Sequence, residues 1–370
     1  AVRTQIINDT RSAIRTYAIP SFRQLVTFLE EEYYPAAMEG IAATDLENGE
    51  EYYSHQIRVY TTRTDLTADD IHEIGLSEVT RIRSEMDALI EESGFEGSFG
   101  EFTEFLRTDP QFYAETAEEL LQAASFVAKK IDYRMPEFFG RLPRTPYGVV
   151  PVPDEIAPNF TTAAYNYAVV GGTRGGAYWV NTYALDQRPL YELPALTAHE
   201  AVPGHHQQNA IASEIEGVPE FRKVLGYSAF GEGWGLYSEK LAIDMDIYEN
   251  EYEHFGRLSY EMWRACRLVI DTGIHAKGWS RQQALDYLGD NTSLSQANIR
   301  AEVDRYISWP GQALAYKLGE MKILELRARA ETELDGRFDI REFHDVVLGQ
   351  GALPLDLLER VVNQYIEEAL

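Results

Sequence analysis

Apolar positions recur at helical intervals over most of the chain. In residues 1–40, Ile6, Ile7, Ile14 and Tyr17, then Phe22, Leu25, Val26 and Leu29, follow the period of a helix, punctuated by Pro20 and Pro35. Residues 45–64 carry Tyr52, Tyr53 and Tyr60 without that regularity and read as a connection with some extended character. Thr67 followed by Asp69 and Asp70 marks a helix start, since a threonine oxygen accepts from free amides and carboxylates suit the positive end of the helix dipole. Ile71, Ile74, Val79, Ile82, Met86 and Leu89 form the apolar stripe that follows. A further helix is expected over 116–134, ending before Pro136.

The pattern changes at 141–159, where prolines at 143, 146, 151, 153 and 158 exclude a continuous helix and imply a long loop or a boundary. The glycine-rich stretch at 169–176 lacks the Lys-Ser/Thr ending of a phosphate loop and reads as a tight turn. Residues 178–183, rich in aromatic and β-branched side chains, are the best strand candidate. After Pro189 the chain returns to helix. Ser280 with Gln283 forms a capping box, a helix starting at 293–296 stops at Trp309-Pro310, and a last pair covers 313–334 and 355–368.

Composition narrows the functional classes. With 33 basic against 60 acidic residues the formal charge is −27, which repels nucleic acid and anionic membrane surfaces. No run is long enough to span a membrane. The first residues lack a signal-peptide pattern, but position 1 is not Met, so a longer precursor stays open and the location is undecided between cytoplasmic and exported. The single cysteine, Cys266, excludes an intrachain disulfide framework and a cysteine zinc site, and in its apolar helix it reads as a small buried hydrophobe. His55 and His72 lack partners at ligand spacing and read as structural, and His254 and His344 as surface residues.

The chemistry concentrates at 199–208, HEAVPGHHQQ. A helix carrying His-Glu and a later His presents two imidazoles to zinc and a carboxylate to water. Four residues after His199, where the usual second histidine would stand, the residue is Pro203. In a regular helix, turning about 100° per residue, His206 returns to the face of His199 and His205 does not. Pro203-Gly204 should distort the helix, however, and a two-residue insertion of this kind would carry His205 into that place, so the residues leave both imidazoles open. Downstream, Glu232 and Glu239 are seven residues apart on one helical face and are the candidates for a third ligand. Arg267, Asp271 and His275 recur every four residues on an otherwise apolar helix, so they form either a buried network or part of a site.

The HExxPGHxxQ pattern resembles the signature of the bacterial DUF885 family, which is similar to the HExxH-plus-glutamate metallopeptidases. The resemblance extends over GEGWGLYSE at 231–239, Arg267 to His275, Arg305-Tyr306 and PGQALAY at 310–316. It implies a mainly α, metallopeptidase-like fold with a small β element beside the zinc-binding helix. It also implies zinc held by His199, His205 and Glu232, with Glu200 as general base and Tyr306 and His275 stabilising the oxyanion; Tyr316 is the competitor of Tyr306. On this reading 1–140 is a helical scaffold and 141–370 the catalytic part, or the two form one continuous domain. The strand at 178–183 would pair with an extended peptide substrate, with Asn181 and Tyr178 in contact. The expected function is a zinc metallopeptidase. The alternatives are a zinc hydrolase of another amide or ester, or a non-catalytic binding protein whose metal stabilises the fold.

Overall fold

Helix Glu251–Lys277 is the centre of the fold, with every residue from Phe255 to His275 buried. A helix apolar on most sides is stable only when covered on most sides. Asn250 caps its start by accepting from the Glu253 amide at 3.0 Å, and Gly278, with φ of 71°, ends it. Along it packs Ala68–Glu92, presenting Ile71, Val79, Ile82, Met86 and Ile90. Each such side chain contributes roughly 1.5–3 kcal/mol on burial, so Ile82→Ala, at a fully buried position, should cost about 2–5 kcal/mol. The capping box at Thr67 is formed: its hydroxyl oxygen accepts from the Asp70 amide while Asp70 accepts from the Thr67 amide.

This computed structural model describes residues 2–169 and 172–370. Contacts divide the chain into two units, Ala1–Ile41 and Ala42–Leu370. The first is a helical run through Val2–Ala13 and Ile19–Phe28, each followed by a π turn, with no buried residue. It passes Pro20 because that residue stands in the first turn of its segment, where a missing N–H costs least. In the second unit, residues 42–140 cluster with 141–370, Ala68–Glu92 and Ala117–Phe138 packing on later helices.

The second unit is mainly helical with one three-stranded sheet: β1 (Tyr147–Pro151), β2 (Ala163–Asn166) and β3 (Gly176–Val180), in the order β1-β3-β2. β3 runs parallel to β1 and antiparallel to β2. Four expectations need correction. Residues 45–64 contain a helix, Gly49–Thr61, whose Tyr53 and Ile57 are buried against the central helix. The helix from Thr116 runs through Pro136 to Phe138. The proline-rich stretch holds β1, where Pro151 ends an outer strand and needs no second partner. The strand expected at 178–183 is β3, starting at Gly176 and ending at Val180. The expected turn at 169–176 includes Val170 and Gly171, which lie outside the described residues. No helix among the described residues is long and apolar enough to cross a membrane.

Candidate metal centre

The first histidine is the penultimate residue of helix Leu193–Glu200, which Pro194 opens in its first turn. Beyond Glu200 the backbone leaves helical geometry at Ala201, passes a cis Val202–Pro203 bond, and restarts as helix His205–Ser213. The interruption is therefore a full break between two helices rather than a bulge in one. Gly204 is required there, because a Cβ would collide with the carbonyl oxygens of His199 and Ala198. Trp234 fixes the break by donating its indole N–H to the Pro203 carbonyl at 2.8 Å.

The break brings His205 to His199, with ring centroids 4.7 Å apart and planes at 89°. His206 points elsewhere. Its Nδ1 shares a 3.0 Å hydrogen bond with the Tyr165 hydroxyl, its ring lies against Tyr147, and burial lowers its pKa to about 4. Helix Ser228–Asp244 supplies the third group. A Glu232 oxygen stands 3.6 Å from His199 Nε2 and 3.4 Å from His205 Nε2, and the three ligand atoms lie within 4.8 Å of one another. Donors around a tetrahedral zinc, each about 2.0–2.2 Å from it, stand roughly 3.3–3.6 Å apart, so both carboxylate distances fit.

Glu239, one heptad later on the same helix, accepts from His199 Nδ1–H at 2.8 Å, which turns Nε2 towards Glu232. A carboxylate behind a ligating imidazole sets its tautomer and orientation. Gly235 leaves room for that ring, since a Cβ there would lie 2.6 Å from His199 Cε1. Burial pulls the His199 imidazole down, but Glu232 and Glu239 outweigh it and hold the pKa at about 9. Burial likewise raises Glu232, and the two imidazoles beside it bring it well below the usual carboxylate range.

Glu200 lines the same cavity, of about 260 Å³, and its carboxylate accepts from the Tyr165 amide of β2 at 2.8 Å. Tyr316 also lines this cavity. Tyr306 does not. Its hydroxyl accepts from Trp263 Nε1 at 2.9 Å and from Arg267 Nε at 3.0 Å, inside the protein. His275 is closed on both sides, Nδ1 accepting from the Ala43 amide and Nε2 donating to the Tyr306 carbonyl, each at 2.9 Å. It is a structural cross-link away from the cavity. Asn181 is equally committed, donating to the carbonyls of Ala157, Phe160 and Thr161 and accepting from the Tyr183 amide. Tyr178 is buried with its hydroxyl 3.3 Å from Thr197 Oγ1. β3 cannot receive a peptide because both its edges are paired; the strand bordering the cavity is β2. His344 is buried rather than superficial, bonded to Tyr237 and the Phe138 carbonyl.

Arg264, unexpected from the sequence, and Arg305, expected only as the neighbour of Tyr306, line the cavity with Arg267. The available signal was a second arginine three residues before Arg267 on an apolar helix.

A profile described as "Bacterial protein of unknown function (DUF885)" matches residues 1–362. The chain belongs to the DUF885 family. Among solved structures, one described as the "putative lipoprotein from Colwellia psychrerythraea" superimposes with a TM-score of 0.95 at 35% identity, over 99% of this chain and 63% of that one. A second, a "putative lipoprotein of unknown function from Shewanella oneidensis", gives a TM-score of 0.73 at 18% identity, over 96% and 65%; at that identity the similarity concerns the fold alone. This DUF885 member thus spans less than two thirds of either protein. No curated protein matches it.

Proposed function

We propose that this protein is a zinc-dependent hydrolase, and specifically a metallopeptidase. The observation that carries the reading is the convergence of His199, His205 and Glu232 at ligand spacing, beside Glu200 in one cavity. The similarity of HExxPGH to the HExxH-plus-glutamate peptidases supports it. Among the described residues the group comprises three donors, which suits an ion that keeps a position for water or substrate and disfavours a purely structural one.

When bound, zinc supplies Lewis acidity, lowering the pKa of a neighbouring water and polarising a carbonyl. Glu200 accepts the proton of the attacking water and passes it to the leaving amine. The Tyr165 amide holds the Glu200 carboxylate in place for that transfer at 2.8 Å. Tyr316, not Tyr306, is the hydroxyl positioned to donate to the developing oxyanion, since it faces the cavity. An extended peptide lies along the outer edge of β2, the strand that borders the cavity, beyond the Tyr165 amide that Glu200 occupies.

The test is metal analysis combined with hydrolysis of a mixed peptide library by the wild type and Glu200→Gln. We expect about one zinc per chain in both, and a loss of cleavage on the order of 10²–10⁴-fold in the variant. Absence of bound metal, or undiminished cleavage by Glu200→Gln, overturns the proposal. Cleavage of esters or non-peptide amides alone selects the wider hydrolase reading.

A further inference from the structure

The cavity that holds Glu200 has a second wall, and its charge is opposite to that of the chain. Arg264 and Arg267 from the central helix and Arg305 from helix Gln296–Ser308 all border it, in a protein of formal charge −27. Arg264 and Arg267 are buried, at 5% and 2% exposure. A buried cation is costly unless it is paired, so the pairing around these three groups decides what the wall is for.

That pairing is incomplete. Arg267 donates Nε to the Tyr306 hydroxyl and Nη2 to Glu302 at 2.8 Å, while Nη1 has no hydrogen bond. Arg305 shares the same Glu302, at 3.4 Å, and otherwise donates to the neutral Gln312 and Tyr316 and lies over the Trp309 ring. Arg264 has its Nε without a partner, gives Nη1 to the Tyr260 carbonyl at 3.3 Å, and reaches a carboxylate only at Glu239, 3.6 Å away. Glu239 is already engaged by His199 at 2.8 Å. The other carboxylates in the cavity have their own partners: Glu232 sits between two imidazoles and Glu200 accepts from the Tyr165 amide. Three guanidiniums therefore meet two carboxylates, Glu302 and the Glu239 that His199 also engages, which leaves the wall one counter-ion short. Ring stacking holds them in position, with Arg264 Cζ 4.4 Å from the Trp263 ring centroid and Arg267 Cζ 4.2 Å from that of Tyr316.

We infer that the arginine wall of Arg264, Arg267 and Arg305 is a recognition site for a carboxylate of the substrate, so that the enzyme selects peptides bearing a negative charge next to the scissile bond. The inference rests on the peptidase reading for the identity of the substrate. A planar guanidinium fork matches a carboxylate in shape as well as charge, and supplies the counter-ion that the wall lacks. The carboxylate belongs either to the free C-terminus of the peptide or to an acidic side chain, and the two sources are separable.

The experiment is calorimetric binding to the Glu200→Gln protein, with and without zinc, of three probes: an N-acetylated alanine tripeptide with a free C-terminus, its C-terminal amide, and the amide with glutamate as last residue. The free acid should bind at least about tenfold tighter than the neutral amide, as expected for charge-assisted hydrogen bonds in a partly buried site. If the glutamate amide matches the acid, the side chain is a sufficient source; if it matches the neutral amide, the terminus is the ligand. Arg305→Gln, at a partly exposed position, and Arg264→Gln should each remove about 10–100-fold of the acid's affinity while leaving the amide's unchanged, and Arg305→Lys should restore part of it. Melting temperatures of the variants show whether they fold, and Arg305→Gln decides the question if Arg264→Gln does not. Equal binding of the three probes, or no binding of any, overturns the inference and leaves the arginines as fixtures of Glu302 and Tyr306. Zinc binding and cleavage with no preference for the acid defeat this inference alone; a preference for the acid in a protein that takes up no zinc when zinc is supplied defeats the peptidase reading alone.

Discussion

His199 and His275 are both buried, both carried on helices, and both accompanied by acidic residues, yet they do opposite work. Both ring nitrogens of His275 end on backbone groups, the Ala43 amide and the Tyr306 carbonyl. His199 commits only Nδ1, to Glu239, and turns Nε2 towards His205 and Glu232 at the edge of a cavity. The same contrast separates Asn181 and Tyr306, whose polar atoms are used up inside the protein, from Glu200 and Tyr316, which border the cavity. Buried polar groups are paired wherever the fold allows. What distinguishes a site from a scaffold is thus where the remaining donor or acceptor looks.

Breaking the scaffold side should have the largest effect on stability. His275→Ala strands a buried amide and a buried carbonyl at about 1–3 kcal/mol each, so denaturant unfolding should show a loss of roughly 2–6 kcal/mol. Metal content of the folded fraction should stay at the wild-type level. Loss of zinc without loss of stability would place His275 in the site.

Glu192, the residue before helix Leu193–Glu200, is buried with its carboxylate accepting from the Tyr260 hydroxyl at 3.1 Å. Burial raises its pKa from 4.5 to about 7. Between those values the folded chain binds the proton that the unfolded chain releases, so this group makes stability fall as pH rises from about 4.5 to 7 and adds no slope above. The slope is at most about 1.4 kcal/mol per pH unit. Glu192→Gln keeps the acceptor and removes the titration, so urea midpoints should favour the variant at pH 8 relative to pH 5. An unchanged pH profile would show that Glu192 is ionised throughout.

A smaller effect is expected at Glu239, which orients His199 without reaching the cavity. Glu239→Gln should lower zinc affinity by about 10–100-fold in a chelator competition, with three donors still in place. Complete loss of zinc would make it a ligand rather than a support.

Much of this arrangement was legible in the residues. The helix starts at Thr67 and Ser280 follow from capping chemistry alone, and HEAVPGH with GEGWG located four groups that the fold brings together. Choosing His205 over His206 needed the physics of Pro203 and Gly204 together with the family pattern, because helical spacing by itself favours the imidazole that the fold turns to Tyr165. What spacing could not reveal was orientation. Arg267, Asp271 and His275 share a face, but Arg267 reaches the cavity while Asp271 accepts from the Tyr53 hydroxyl and the Gly311 amide, contacts made by distant parts of the chain. Strand order is likewise a long-range property: a run of aromatic and β-branched residues marks β3 as a strand without showing that β1 and β2 cover its edges. Helix Gly49–Thr61 escaped notice because its tyrosines suggested an extended segment, whereas burial of Tyr53 and Ile57 against the central helix overrides propensity.

The most direct measurement is zinc titration of three proteins by calorimetry: wild type, His205→Ala and His206→Ala. The wild type and His206→Ala should each bind one ion. His205→Ala should bind on the order of a thousandfold more weakly, if the roughly 10–16 kcal/mol of a protein zinc site is shared among its ligands. Tight binding by His205→Ala together with its loss in His206→Ala would contradict the metal centre described above.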